Sequence, residues 1–156
     1  KLPGREKISM SDRTFVDTNI LVYAHDADAG EKHTIAAKTM ADLWESRDGI
    51  ISTQVLQELY VTLTRKVASP LKGNNARRLI RNYLTWELVV NDGPIILHAT
   101  EIEDNYRLSF WDSLIIAAAY SKNATIILTE DLNDGQHIEG IIIRNPFLVN
   151  FPSQNR

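Results

Sequence analysis

Five carboxylates stand at places where a chain gains little from spending them singly. "FVDTN" ends an apolar run on Asp17, and "STQVLQELY" carries Glu58 just over one turn into a helical stretch. "SFWDSLIIAAA" sets Asp112 in the first turn of an apolar helix, and "TIILTED" runs out in Glu130 and Asp131. Each has a plain reading by itself. Asp17, Thr18 and Asn19 all suit a helix N-cap; Glu58 suits a solvated helix face; Asp112 complements a helix dipole; Glu130 and Asp131 lead into an acidic turn with Asn133, Asp134 and Gly135. Brought together they mean something else. Ionised carboxylates in one place repel, and some stay protonated unless a cation joins them. Asp112 is the most telling, because Ile115, Ile116 and Ala119 share its helix face and burial of an unpaired acid is costly. Oxygen donors without thiolate or imidazole select a hard ion, Mg²⁺ or Mn²⁺, over zinc. The chain has no cysteine, and His25, His33, His98 and His137 show no ligand spacing.

Acids so far apart in sequence meet only if the elements bring them together. "RTFVD" (13–17), "GIIST" (49–53), "ELVVN" (87–91), "TIILTED" (125–131) and "GIIIRNP" (140–146) read as short strands. They are apolar throughout, as in sheets covered on both faces. Apolar spacing predicts helices over 20–25, 31–47, 54–67 and 74–84, the second turning Ala36, Met40, Leu43 and Trp44 to one side. Pro94 suits the first turn of a helix running to about Leu108, and Ser109 opens another over 109–123. The alternation predicts a three-layer α/β/α fold around a central parallel sheet of about five strands. Such sheets bind ligands outside the carboxyl ends of their strands, where all five acids would stand.

The 156 residues suit one domain over 13–150, and 44% hydrophobic with 24% charged residues is ordinary for a globular chain with a real core. Residues 1–12 read as a loose arm or a vector remnant, with Met10 able to serve as the start, and 151–156 as a tail. No apolar stretch reaches the roughly 18 residues of a membrane span, and the N-terminus lacks the apolar segment of a secretion signal. With no cysteine, a cytoplasmic setting is the expectation. A net charge of −3 argues against a generally basic surface for nucleic acid. One local block is basic: "RKVASPLKGNNARRLIR" holds Arg65, Lys66, Lys72, Arg77, Arg78 and Arg81 and no acid. Contact with phosphates and a solvated helical hairpin are equal readings of it. Trp86 and Trp111 read as core.

Four motifs in order carry a resemblance. "FVDTNILVYA", "STQVLQELY", "SFWDSLIIAAA" and "ILTEDLNDG" resemble the acidic motifs of the PIN-domain family of metal-dependent ribonucleases, most of all the VapC-type toxins of toxin–antitoxin pairs. The resemblance runs from Thr14 to about Phe147. It implies a single-strand-specific endoribonuclease, a homodimer, an RNA substrate and a cognate antitoxin lying across the active groove. It implies Asp17, Glu58, Asp112 and Asp131 as catalytic acids. Asp17, Asp112 and Asp131 would ligate Mg²⁺ or Mn²⁺, and Glu58 would join through water or orient the nucleophile. Thr18, Asn19, Thr129 and Glu130 would hold those acids in place. One departure falls at the rim, where many relatives carry histidine and this chain has Asp134. The basic block would face RNA or an acidic stretch of the antitoxin. Two other classes compete. A receiver-type signalling domain also gathers acids and Mg²⁺, but needs a lysine just after a late strand that "IILTED" does not offer. A non-catalytic PIN-like scaffold would be expected to have lost one of the four acids.

Overall fold

The computed structural model describes residues 12–148; the expected arm, Asp12 apart, and the expected tail lie outside them. Six strands form one sheet: β1 (Thr14–Val16), β2 (Gly49–Ser52), β3 (Glu87–Val89), β4 (Ile126–Leu128), β5 (His137–Ile138) and β6 (Ile141–Arg144). Their order is β3-β2-β1-β4-β6-β5. Every pairing is parallel except the antiparallel β5–β6 hairpin. The five patterned runs all become parallel strands. The sixth strand, β5, is two residues long, too short to show a periodicity. Its turn uses Glu139 at φ 53° and Gly140 at φ 80°.

The flanking helices are α1 (Thr18–Ala24), α2 (Glu31–Ser46), α3 (Thr53–Arg65), α4 (Gly73–Tyr83), α5 (Gly93–Tyr106) and α6 (Phe110–Ser121), with a 3₁₀ turn at Ala27–Ala29. Asp17, Ser52, Asp92 and Ser109 cap α1, α3, α5 and α6, each side chain accepting a backbone N–H of the first turn. Each such cap is worth about 1 kcal/mol. Strand passes into helix almost without a loop: β1 ends at Val16 and α1 begins at Thr18, β2 ends at Ser52 and α3 begins at Thr53. First-turn side chains are therefore delivered to the carboxyl edge of the sheet.

β1 and β2 are buried along their whole length, and α6 is buried continuously from Ser113 to Ala119. A helix apolar all round belongs in the interior. It packs against α5 and against β2 and β3, while α1 packs on α2 and α3. At the amino edge, the Arg13 guanidinium donates to Glu87 Oε1 at 2.6 Å and to the Lys122 carbonyl at 2.7 Å. Trp44, Tyr83 and Trp86 stack there with centroids 5.1–5.3 Å apart. Trp44 sits at the boundary of the core, 39% exposed.

Candidate active site

The order of the sheet reverses at β1. The chain moves one way from it to β2 and β3, and the other way to β4 and β6. In open parallel sheets that switch point is where ligands bind. A cleft of about 430 Å³ opens there, and Asp17, Glu58, Asp112 and Asp131 all line it, with Thr18 and Asn19. The sequence spreads these acids from Asp17 to Asp131; the parallel pairing of β1 with β4 and of β1 with β2 closes that distance.

Asp17 is both a cap and a buried acid. Its Oδ1 accepts the Thr18 backbone N–H at 2.7 Å, and its Oδ2 accepts the Thr129 hydroxyl at 2.8 Å. Only 6% of the residue is exposed. Burial pushes its pKa up to about 7; the bonds from Thr129 and Thr18 oppose the rise, and the charges of Asp131 and Glu58 add to it. Asp112, in the first turn of α6, is half-buried. Its pKa is also raised, first by burial, against a hydrogen bond with Ser109 and with help from Asp131 and Glu58.

Neutral donors hold the exposed acids. Glu58 Oε1 accepts the Thr18 hydroxyl at 2.5 Å, and its Oε2 accepts Gln54 Nε2 at 3.2 Å. Asn19 Nδ2 donates to Asp131 Oδ2 at 2.9 Å, and the Asp131 backbone N–H donates to Thr129 Oγ1 at 3.1 Å. Glu130 differs. Its carboxylate accepts from the Tyr23 hydroxyl at 2.6 Å and from Lys32 Nζ at 2.8 Å, and it is not a wall of the cleft. Only its backbone N–H reaches the acid network, at Asn19 Oδ1.

Three placements depart from the sequence reading or escape it. Trp111 is not core: it is 61% exposed and forms part of the cleft wall. It precedes the buried part of α6, so the turn that presents Asp112 presents the indole as well. Of the basic block only Lys66 lines the cleft; Arg65, Lys72, Arg77, Arg78 and Arg81 are exposed elsewhere. Gln54 escapes sequence reasoning because a helical glutamine looks solvated. It is buried, it links Glu58 to the Trp111 carbonyl, and its Oε1 has no partner among the described residues. Its position one turn before Glu58 was the available signal. Asp134, at the rim, accepts the Asn145 backbone N–H at 2.8 Å.

A model of the PIN domain matches residues 14–134. The chain belongs to the PIN-domain family. Among curated proteins no sequence matches it significantly. Solved structures do. A toxin–antitoxin complex from Klebsiella pneumoniae matches with TM-score 0.62 at 20% identity, over 85% of this chain and 97% of that one. A sarcin–ricin loop cleaving VapC toxin of Mycobacterium tuberculosis matches with TM-score 0.55 at 20% identity, over 73% and 86%. A DNA-bound VapBC from Salmonella typhimurium matches with TM-score 0.60 at 16% identity, over 86% and 98%. At these identities the likeness is one of fold. Among the described residues no helix of this PIN domain is long and apolar enough to cross a membrane.

Among the described residues no three Asp, Glu, His or Cys side chains are closed into a ready cage. The donors that face the cleft are nevertheless all oxygen, and the most buried of them is held near neutrality by burial and like charge. That donor set fits a hard divalent ion, which needs only a few carboxylates because it keeps much of its water.

Proposed function

We propose that this PIN domain is a metal-dependent endoribonuclease that hydrolyses phosphodiester bonds of RNA, and the toxin half of a toxin–antitoxin pair. The observation that carries the reading is the convergence of Asp17, Glu58, Asp112 and Asp131 on one cleft at the switch point of the sheet. Asp17, Asp112 and Asp131 would hold Mg²⁺ or Mn²⁺. Such an ion stabilises charge developing on a phosphate and makes water a better nucleophile. The chain's own part is positioning. Thr18 and Gln54 fix both oxygens of Glu58, so that this carboxylate can orient the attacking water and accept its proton. Asn19 and Thr129 fix Asp131 and Asp17.

The solved relatives named for toxin–antitoxin and VapBC complexes support an antitoxin partner, and the one named for cleaving the sarcin–ricin loop supports RNA as substrate. The family resemblance supports a homodimer, and an RNA substrate a cytoplasmic setting. A receiver-type domain is disfavoured by strand order. Receivers follow 2-1-3-4-5, whereas here β1 lies between β2 and β4 and β3 is at an edge. The deciding experiment is cleavage of single-stranded RNA by the wild type, Asp17→Asn and Asp112→Asn with Mg²⁺, Mn²⁺ or EDTA. Cleavage by the wild type alone, and only with the ion, supports the proposal. Full activity in EDTA or in both variants overturns it.

A further inference from the structure

α3 lays a row of side chains along the cleft. Gln54, Glu58, Thr62 and Lys66 recur every four residues and all line it. Twelve residues at 1.5 Å per residue make the row roughly 18 Å long. At its amino end, Gln54 Nε2 reaches the Trp111 carbonyl at 3.5 Å, and Trp111 lines the cleft beside it. The ring is backed edge-on by Phe110 with centroids 5.1 Å apart, and the residue is 61% exposed. At the other end stands Lys66, which among the described residues is in no ion pair. Glu58 lies between them on the row, and Asp17, Asp112 and Asp131 line the same cleft. Trp44 and Trp86 are spent on each other and on Tyr83; among the described residues Trp111 has only Phe110 as a ring neighbour.

We propose that this row is a track for single-stranded RNA, on which a nucleobase stacks on Trp111 to one side of Glu58 while a backbone phosphate meets Lys66 on the other. The proposal rests on the nuclease reading and adds to it which parts of the strand are gripped, and where. An exposed indole face accepts any base, and a lysine accepts any phosphate, so the track selects strandedness rather than sequence. A duplex, with its bases stacked inside, offers nothing to Trp111.

The test is equilibrium binding in Ca²⁺ of labelled oligouridine, of the same ribose–phosphate oligomer without bases, and of duplex RNA. Wild type, Trp111→Ala, Trp111→Phe and Lys66→Ala are compared, with recovery of intact RNA and thermal melts as controls. Trp111→Ala should weaken oligouridine binding about fivefold to a hundredfold, the range of one base–aromatic stack. Trp111→Phe should lose less, and neither should change binding of the base-free oligomer. Lys66→Ala should weaken both oligomers and flatten the salt dependence of log K by about 0.7. Three results would overturn the track: no binding of oligouridine by the wild type, unchanged oligouridine binding by Trp111→Ala, or an equal loss on the base-free oligomer. A Trp111→Ala protein that binds RNA normally but loses a protein partner would assign the indole to that partner instead. Binding is read without turnover. A wild type that binds in the expected pattern yet cuts no RNA therefore defeats the nuclease reading alone, and an active nuclease with an indifferent Trp111 defeats the track alone.

Discussion

Replacing Asp17 with asparagine should make the metal-free protein more stable at pH 8, although it removes a hydrogen-bonded, nearly fully buried side chain. Burial holds the Asp17 pKa at about 7 in the folded chain, against 3.8 for a free aspartate. A folded-state value above the unfolded one means that the folded chain binds the proton more tightly. Stability is therefore full below about pH 4 and falls as the pH rises through 7. The rise from 3.8 to about 7 corresponds to about 4 kcal/mol lost at pH 8, of which only about 1–2 kcal/mol is already lost at pH 5. Asparagine never ionises, keeps an oxygen for the Thr18 N–H, and disturbs the bond from Thr129, at a cost of about 1 kcal/mol. The net gain at pH 8 is about 3 kcal/mol, or roughly 6–12 °C in Tm for a chain of this size. At pH 5 the two proteins should melt within a few degrees of each other. The assay is thermal melting in EDTA from pH 5 to 8, repeated in excess Mn²⁺, which should restore wild type at pH 8 and leave Asp17→Asn unmoved. A metal-free Asp17→Asn that melts at or below wild type at pH 8, or a gap that ignores pH, would refute the reasoning.

RNA cleavage should stop in EDTA and return with Mn²⁺, and Asp112→Asn should not recover at any Mn²⁺ concentration, as read by a gel of cleaved RNA. Gln54→Leu should lower kcat roughly fivefold with KM unchanged, the worth of about one hydrogen bond on Glu58; its Tm should hold, since the buried Gln54 Oε1 lacks a partner. Gly49→Ala should cost about 1–3 kcal/mol by overpacking, because a Cβ there would stand 2.3 Å from the Trp86 ring; an unchanged melt would show that the ring swings aside freely. Light scattering should give a dimer, and a neighbouring small open reading frame should encode a protein that co-purifies with this chain.

Much of the fold is written locally. Uninterrupted apolar runs bounded by caps mark β1, β2 and α6, because burial on both sides leaves no polar alternation to confuse. Helix ends move by a residue or two from their apolar spacing. The observed strands are shorter than the apolar and polar runs that announce them: "TIILTED" supplies β4 only over Ile126–Leu128, because Glu130 and Asp131 turn the chain out of the sheet and Asp131 into the cleft wall. β5 is silent in sequence because its existence depends on the turn that folds it back on β6. At the site, strand-end position suffices to place four acids on one edge. It does not separate Glu130 from Asp131, since that choice is made by Tyr23 and Lys32, about a hundred residues earlier. Nor does it find Trp111 outside the core: the same apolar helix buries Ser113–Ala119 and exposes its first turn, and a single residue at that boundary carries no period.

The distribution of cations among these acids argues for the cleft's purpose. Glu130 has Lys32 at 2.8 Å, with the ammonium also 4.9 Å from the centroid of the Tyr23 ring and 5.3 Å from that of Phe147. Asp17, Glu58, Asp112 and Asp131 have no protein cation among the described residues; their carboxylates' partners are hydroxyls, amides and a backbone N–H group. Such groups orient a carboxylate without neutralising it. A protein built for stability alone would have set an arginine or lysine against a buried Asp17, or replaced it with serine, which caps a helix equally well. The acid that is neutralised is the one outside the cleft. The four inside are aligned by neutral donors and given no protein cation, the arrangement expected of acids whose partner is to be a cation from solution.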